Sequence, residues 1–321
     1  MLPYAFAMLQ RSWRMFLTVT KVMLPVMVIV QIAQQFGLIE LLGQVIAPAM
    51  ALLHLPPEAG IIWVATVLTG IYGGIASLSG LASSIDLTAA QLSALCAMML
   101  FSHSIPVEQS IVRRAGASFW FTGALRIGTA LTYGAAVSWA CHLTGVLADP
   151  VSFEWLRGSA FAAEDGANGY FGWLQATLFS LLITFFIIAG LVVTLDGFER
   201  LGITRRITRA MTPLLKMSGL NSQVAPVTTV GVLLGLTYGG ALIIEEAKKQ
   251  KFSPRTRLLA LSWLSLSHSL IEDTLLLMAL GANVWIVLVG RVLITLAIVA
   301  TLAKLTDRGN RTAGTVSTEQ H

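Results

Sequence analysis

Apolar positions along this chain fall in long unbroken runs, with neither the two-residue alternation of a half-buried strand nor the one-sided stripe of a surface helix. Residues 15–38, 117–140, 172–195 and 284–303 are apolar nearly throughout. Each reaches the roughly 20 residues that cross about 30 Å of hydrocarbon, so each predicts a membrane-spanning helix. Residues 88–109 predict a further crossing, with a counterpart in the second half. Two other apolar stretches, 61–80 and 222–244, are broken by glycines. Shorter segments at 39–53 and 203–217 precede them, carry Pro48 and Pro213, and predict interfacial helices. The polar tail 306–321 is expected to be disordered.

Composition agrees with the runs. Hydrophobic residues make up 55% of 321 positions and charged residues 12%, about half the charged fraction of a soluble domain. The first run follows Arg11 and Arg14 but exceeds the roughly 7–15 residues of a signal-peptide core, so a retained helix is expected. Cys96 and Cys141 have no CxxC partner and read as packed or lipid-facing thiols. The formal charge of +5 does not mark a nucleic-acid binder, because the basic residues cluster in particular loops.

Those loops set an expected topology. The connection 142–171 carries Asp149, Glu154, Glu164 and Asp165 against Arg157 and should lie outside. Segments 196–221 and 245–257 are rich in Arg and Lys and should face the cytoplasm. The stretch 222–244 lies between the two basic segments. A re-entrant hairpin that dips in and returns fits it better than a full crossing. Gly231, Gly235, Gly239 and Gly240 offer the bend, and non-helical backbone at membrane depth must lie against protein or a water-filled cavity.

A block also recurs 165 positions downstream. Ser102-His103-Ser104 returns as Ser267-His268-Ser269, Gly116 as Gly281, Trp120 as Trp285, and Arg126 as Arg291. Gly37 pairs with Gly202 and Pro48 with Pro213, while Tyr72-Gly73-Gly74 pairs with Tyr238-Gly239-Gly240 one residue out of step. Half-chain repeats with glycine-broken segments at corresponding places mark transporter-type scaffolds. With the charge pattern they predict an all-α polytopic membrane protein of two inverted repeats, each with three crossings and one re-entrant hairpin. The expected units are 1–141, an external acidic linker at 142–171, 172–305, and the tail 306–321.

The run Gly235-Leu236-Thr237-Tyr238-Gly239-Gly240, leading to Glu245-Glu246-Ala247 and then to Ser267-His268-Ser269 with Glu272-Asp273, resembles the nucleoside-recognition, or Gate, domain family. A degenerate version lies at 70–80 with 102–108. Gate domains occur in spore-maturation membrane proteins and in the membrane part of ferrous-iron permeases, and are distantly similar to concentrative nucleoside transporters. The resemblance implies two Gate copies without the permeases' GTP-binding domain, since the chain has no P-loop. The copies differ: Ser79-Gly80 stands where the second has Glu245-Glu246.

Candidate site residues follow from charges at membrane depth, which are costly and usually face bundle interiors or solute paths. His103, His268 and Glu272 are expected to line a path, the last two four apart and so on one helix face. Hairpin tips at Tyr72, Gly73 and Gly74, and at Tyr238, Gly239 and Gly240, are expected to offer backbone to solute. Arg126 and Arg291 lie where they can reach Glu108 or His103, and Asp273 or His268; the expectation is structural ion pairs. Glu245 and Glu246 are either a gate or a solvated charge run. No HxxxH or ExxH spacing places metal ligands on one face, so neither a resident metal nor a cofactor is expected. Ser267-His268-Ser269 offers no catalytic geometry, because helix neighbours point about 100° apart, and there is no G-x-S-x-G elbow.

The expectation is a secondary transporter or permease of the bacterial inner membrane, with both termini cytoplasmic. Its partners would be a small solute and the lipid bilayer. A non-transporting scaffold and a divalent-metal permease stand as alternatives, and a homo-oligomer or a membrane partner stays open.

Overall fold

A computed structural model describes residues 2–157, 169–220, 224–234 and 252–316. The first half runs α1 (Leu2–Gln35), α2 (Leu38–Leu52), α3 (Pro57–Thr69), α4 (Ile71–Leu81), α5 (Ala89–Ser102), α6 (Ile105–Arg114) and α7 (Phe119–Thr144). The second runs α8 (Glu154–Arg157), α9 (Gly169–Arg200), α10 (Ile203–Met217), α11 (Val224–Leu234), α12 (Pro254–Ser267), α13 (Glu272–Ala279), a π-helical turn at Trp285–Gly290, and α14 (Arg291–Val316). Strand structure among the described residues is one antiparallel pairing, Leu87–Thr88 with Pro150–Val151.

Among the described residues, four helical stretches are long and apolar enough to cross a membrane: Phe6–Gln35, Ala89–Arg114, Phe171–Arg200 and Trp285–Asp307. The pair α2 and α3, bent by 96°, makes a fifth if counted as one span. The chain is an all-α polytopic membrane protein. The expected crossing at 117–140 is α7, which at 26 residues is about 39 Å long. It falls outside the four apolar spans, and Thr122, Arg126, Thr129 and Ser138 make its buried face polar.

The repeat is visible in the backbone. Helices α2 and α10 have the same bounds shifted by 165 positions, and so do α5 and α12. Left-handed residues recur in the same register: Gly37 with Gly202, His54 with Gly219, Ser104 with Ser269, and Gly116 with Gly281. The two long first helices, α1 and α9, pack on each other through Trp13, Phe16 and Phe185. The Tyr4 hydroxyl donates to Asp196 Oδ2 at 2.5 Å.

Helices α3 and α4 form a hairpin. The chain reverses at Gly70, whose φ of 104° is poorly accessible to other residues. A Cβ added at Gly74 would collide with the Thr66 side chain on the opposite arm. The turn therefore lies at Gly70, two residues before Tyr72-Gly73-Gly74. In the second half α11 occupies the position of α3. Tyr238, Gly239, Gly240, Glu245 and Glu246 lie outside the described residues.

Two boundaries differ from expectation. Helix α1 begins at Leu2 rather than near residue 15, because the polar positions Gln10, Arg11, Ser12 and Arg14 are all compatible with helix. Helix α14 continues to Val316, so residues 306–316 are helical rather than disordered. Arg255 clamps that extension, donating to Ala303 O and Thr306 Oγ1 and pairing with Asp307 at 3.0 Å.

Candidate functional site

The site is made where two helices stop. Helix α5 begins with a capping box, Thr88 with Gln91, and ends at His103 in extended conformation (φ −65°, ψ 155°). Ser104 follows in the left-handed region (φ 50°) and starts α6. Pro106 accounts for the interruption, since it has no N–H to give and its ring would clash with the carbonyl four residues back. In the second half α12 ends at His268 with nearly the same dihedrals (φ −76°, ψ 165°), and Ser269 takes φ 48°. That break occurs without a proline.

Each break is held by the hairpin arm of its own half. Ser104 N–H donates to Thr66 O at 3.1 Å, and Leu270 N–H donates to Val232 O at 3.0 Å. The tip presses in from the same side, as a Cβ on Gly70 would stand 2.7 Å from Ser104 Oγ.

A broken helix leaves its last carbonyls without partners and a partial negative charge at its end. Two fully buried arginines answer both. Arg126 Nε donates to Phe101 O and its Nη2 to His103 O, both at 2.7 Å. Arg291 Nε donates to Leu266 O at 2.9 Å and its Nη2 to His268 O at 3.1 Å, with Leu100 O also at 3.1 Å. Arg291 follows the π-helical turn, where the Tyr133 hydroxyl donates to Ile286 O at 2.9 Å.

The two histidines then meet. His103 Nε2 and His268 Nε2 lie 2.9 Å apart and both rings are buried. Each ring is fixed from behind: His103 Nδ1 is 3.1 Å from Met99 O, and His268 Nδ1 is 2.7 Å from Leu264 O. Glu108 Oε1 is 3.2 Å from the first Nε2 and 3.1 Å from the second. Its other oxygen is 2.6 Å from Arg126 Nη1, close as an ion pair but outside good hydrogen-bond alignment. Asp273, which is Glu108 shifted by 165 positions, places Oδ2 3.7 Å from His103 Nε2.

The structure therefore brings together His103, His268, Glu108, Asp273, Arg126 and Arg291, and rearranges several expected roles. His268 and Glu272 do not share a helix face, because the helix is broken at Ser269 between them. Asp273 rather than Glu272 turns toward the histidines. Arg291 meets backbone carbonyls instead of Asp273, with no ion pair within 4.0 Å among the described residues, and its Nη1 is buried without a hydrogen-bond partner. Gly73 and Gly74 do not offer free backbone donors, since both amides bond to Gly70 O inside α4. They act in packing: a Cβ at Gly74 would also reach within 2.7 Å of Met99 Cε. The Tyr72 hydroxyl is buried without a hydrogen-bond partner. Ser104, Ser269 and Gly70 carry the break and the turn, and their part went unread in the sequence. Ser-His-Ser in both copies was the available signal for two of them.

The described residues thus enclose a buried polar centre between two broken helices of an all-α polytopic chain. Residues 16–118 match the family described as nucleoside recognition, the Gate family. Over 299 residues the chain is 27% identical to an uncharacterized membrane protein, YvoD, of Bacillus subtilis (strain 168), covering 92% of this chain and 90% of that one. No solved structure matches. Residues 16–118 are thus similar to a Gate segment, and the chain is a multi-pass membrane protein.

Proposed function

We propose that the chain is a permease-like protein of the bacterial inner membrane that binds a small solute where α5 and α12 stop, near the bilayer midplane. The observation that carries this is the meeting of His103 and His268 at 2.9 Å, each at the broken end of a corresponding helix. Discontinuous helices with ionisable groups at their ends are how transporters place a polar site at membrane depth. The two halves act as inverted repeats, with both termini cytoplasmic and the acidic connection outside, as the distribution of Arg and Lys supports. The chain has a membrane role rather than a catalytic one, and the surrounding lipid and the solute are its partners.

The test is a melting screen of purified protein against nucleosides, nucleobases, organic acids and divalent cations, followed by uptake of the stabilising compound into proteoliposomes. A ligand that binds only the folded state raises stability with concentration. Saturable stabilisation with uptake is expected. A parent protein that no compound stabilises, or a stabilising compound that never enters the liposomes, would favour a non-transporting scaffold.

A further inference from the structure

The contacts behind the two histidines fix where their protons are. A backbone carbonyl can only accept, so Met99 O and Leu264 O require a hydrogen on each Nδ1. A neutral imidazole carries one hydrogen, so both Nε2 atoms present bare lone pairs. These two lone pairs face each other at 2.9 Å, and Glu108 Oε1 joins them at 3.2 and 3.1 Å. Three acceptors converge with no donor among them. The two arginines nearby do not fill the gap, because their Nε and Nη2 atoms bond to helix-end carbonyls and Arg126 Nη1 faces the other oxygen of Glu108. Such a triangle is repulsive unless something positive lies inside it.

We infer that the His103–His268–Glu108 triangle is a binding site for a first-row divalent transition-metal ion, with Asp273 as the fourth ligand. A point equidistant from three atoms at these separations lies ~1.8 Å from each, so an ion at the usual distances of about 2.0–2.2 Å sits just above their plane without moving the ligands. Asp273 Oδ2 stands 3.7 Å from His103 Nε2, at the edge of the same cluster. His103, His268 and Asp273 already hold their ligand atoms within 4.8 Å of one another. Two imidazoles with two carboxylates suit Zn²⁺, Co²⁺, Fe²⁺ or Mn²⁺ better than the all-oxygen sites of Mg²⁺ or Ca²⁺. The Nδ1–H···O=C bond behind each ring is the outer-shell contact that orients ligating histidines. The ligands come from both repeats, so the site exists only when the two halves are docked. That the ion is cargo rests on the permease reading; that it binds does not.

The experiment strips the detergent-solubilised full chain with EDTA and measures Zn²⁺ and Co²⁺ by equilibrium dialysis, with Mg²⁺ as the contrasting ion. One Zn²⁺ or Co²⁺ per chain is expected, and no stoichiometric Mg²⁺. Loss of an outer-shell partner alone costs about 10–100-fold in metal affinity, so His103→Ala and His268→Ala should each cost at least ~100-fold, while Glu40→Gln should not. Should the histidine variants fail to fold, X-ray absorption at the cobalt edge of the unaltered chain decides, with scattering from two imidazoles expected. No stoichiometric binding, or bound cobalt without imidazole scattering, overturns the inference and leaves a shared proton as the group between the rings. Proteoliposome uptake of Zn²⁺ separates the two readings. Binding without uptake removes the ion as cargo and keeps the site. Uptake of a different solute by a chain that binds no metal removes the site and keeps the permease reading.

Discussion

Arg126 and Arg291 make the same two hydrogen bonds at the same spacing: Nε to the carbonyl 25 positions earlier and Nη2 to the carbonyl 23 positions earlier. A guanidinium fork suits this task, since its nitrogens diverge in one plane and stay charged when buried. The two differ in their third nitrogen, which faces Glu108 in one half and no hydrogen-bond acceptor in the other.

That difference gives a paired expectation. Removing one member of a buried ion pair costs on the order of 3–5 kcal/mol, because the other charge is left uncompensated. Arg126→Ala should therefore sharply lower folded yield, and adding Glu108→Gln should restore part of it. Arg291→Ala should be as damaging, yet Asp273→Ala should not restore it. Size-exclusion yield of the four variants checks this, and recovery of the Arg291 variant by Asp273→Ala would restore the direct ion pair.

Much of this was legible in the chain. The apolar runs gave the long helices, and the 165-residue offset gave matching elements down to their bounds. The convergence of His103 and His268 was not legible as a contact, because spacing along a helix says nothing about which helices touch. Metal-ligand motifs are sought within one helix face, whereas the set proposed above draws on both repeats. The pairing of His268 with Glu272 failed for a related reason: it assumed continuous helix across Ser269, and a left-handed serine leaves little trace in a sequence without a nearby proline or glycine.

Gly70 should be the least replaceable glycine of the first hairpin. Its φ of 104° and the approach of Ser104 Oγ leave no room for a side chain. That backbone region, with ψ 177°, is essentially glycine-only and costs other residues roughly 1–3 kcal/mol. Gly70→Ala should lower the unfolding temperature clearly, and Gly128→Ala, whose Cβ would meet nothing within 4 Å, should not. Equal melting of the two variants would contradict the hairpin turn.

The serines at the breaks bear the same kind of strain. Ser269→Gly should be neutral or slightly stabilising, as relief of the left-handed cost offsets about 0.5–1 kcal/mol of added chain entropy. Ser269→Val should destabilise, since a β-branched residue fits that region worst. A valine variant that melts like the parent would mean that α12 does not break there.

Orientation can be read with single cysteines in a chain lacking Cys96 and Cys141. Thiols placed at positions 114 and 250 and at both termini should react with an impermeant reagent only after the cytoplasmic face is opened, and one at position 160 should react from outside. External reaction at 250 would replace the second hairpin by a full crossing.

Everything proposed for the site depends on the two repeats meeting at His103 and His268. The direct measurement replaces both histidines by cysteine in the background lacking Cys96 and Cys141, and places a protease site within residues 158–168. A short thiol-bridging reagent is applied in membranes, the chain is cut, and the halves are separated on a denaturing gel. The halves should stay joined at full-length mobility, and should part when either cysteine is omitted. Halves that part in the double-cysteine chain, although both thiols can be labelled singly, would contradict the convergence of the two broken helices.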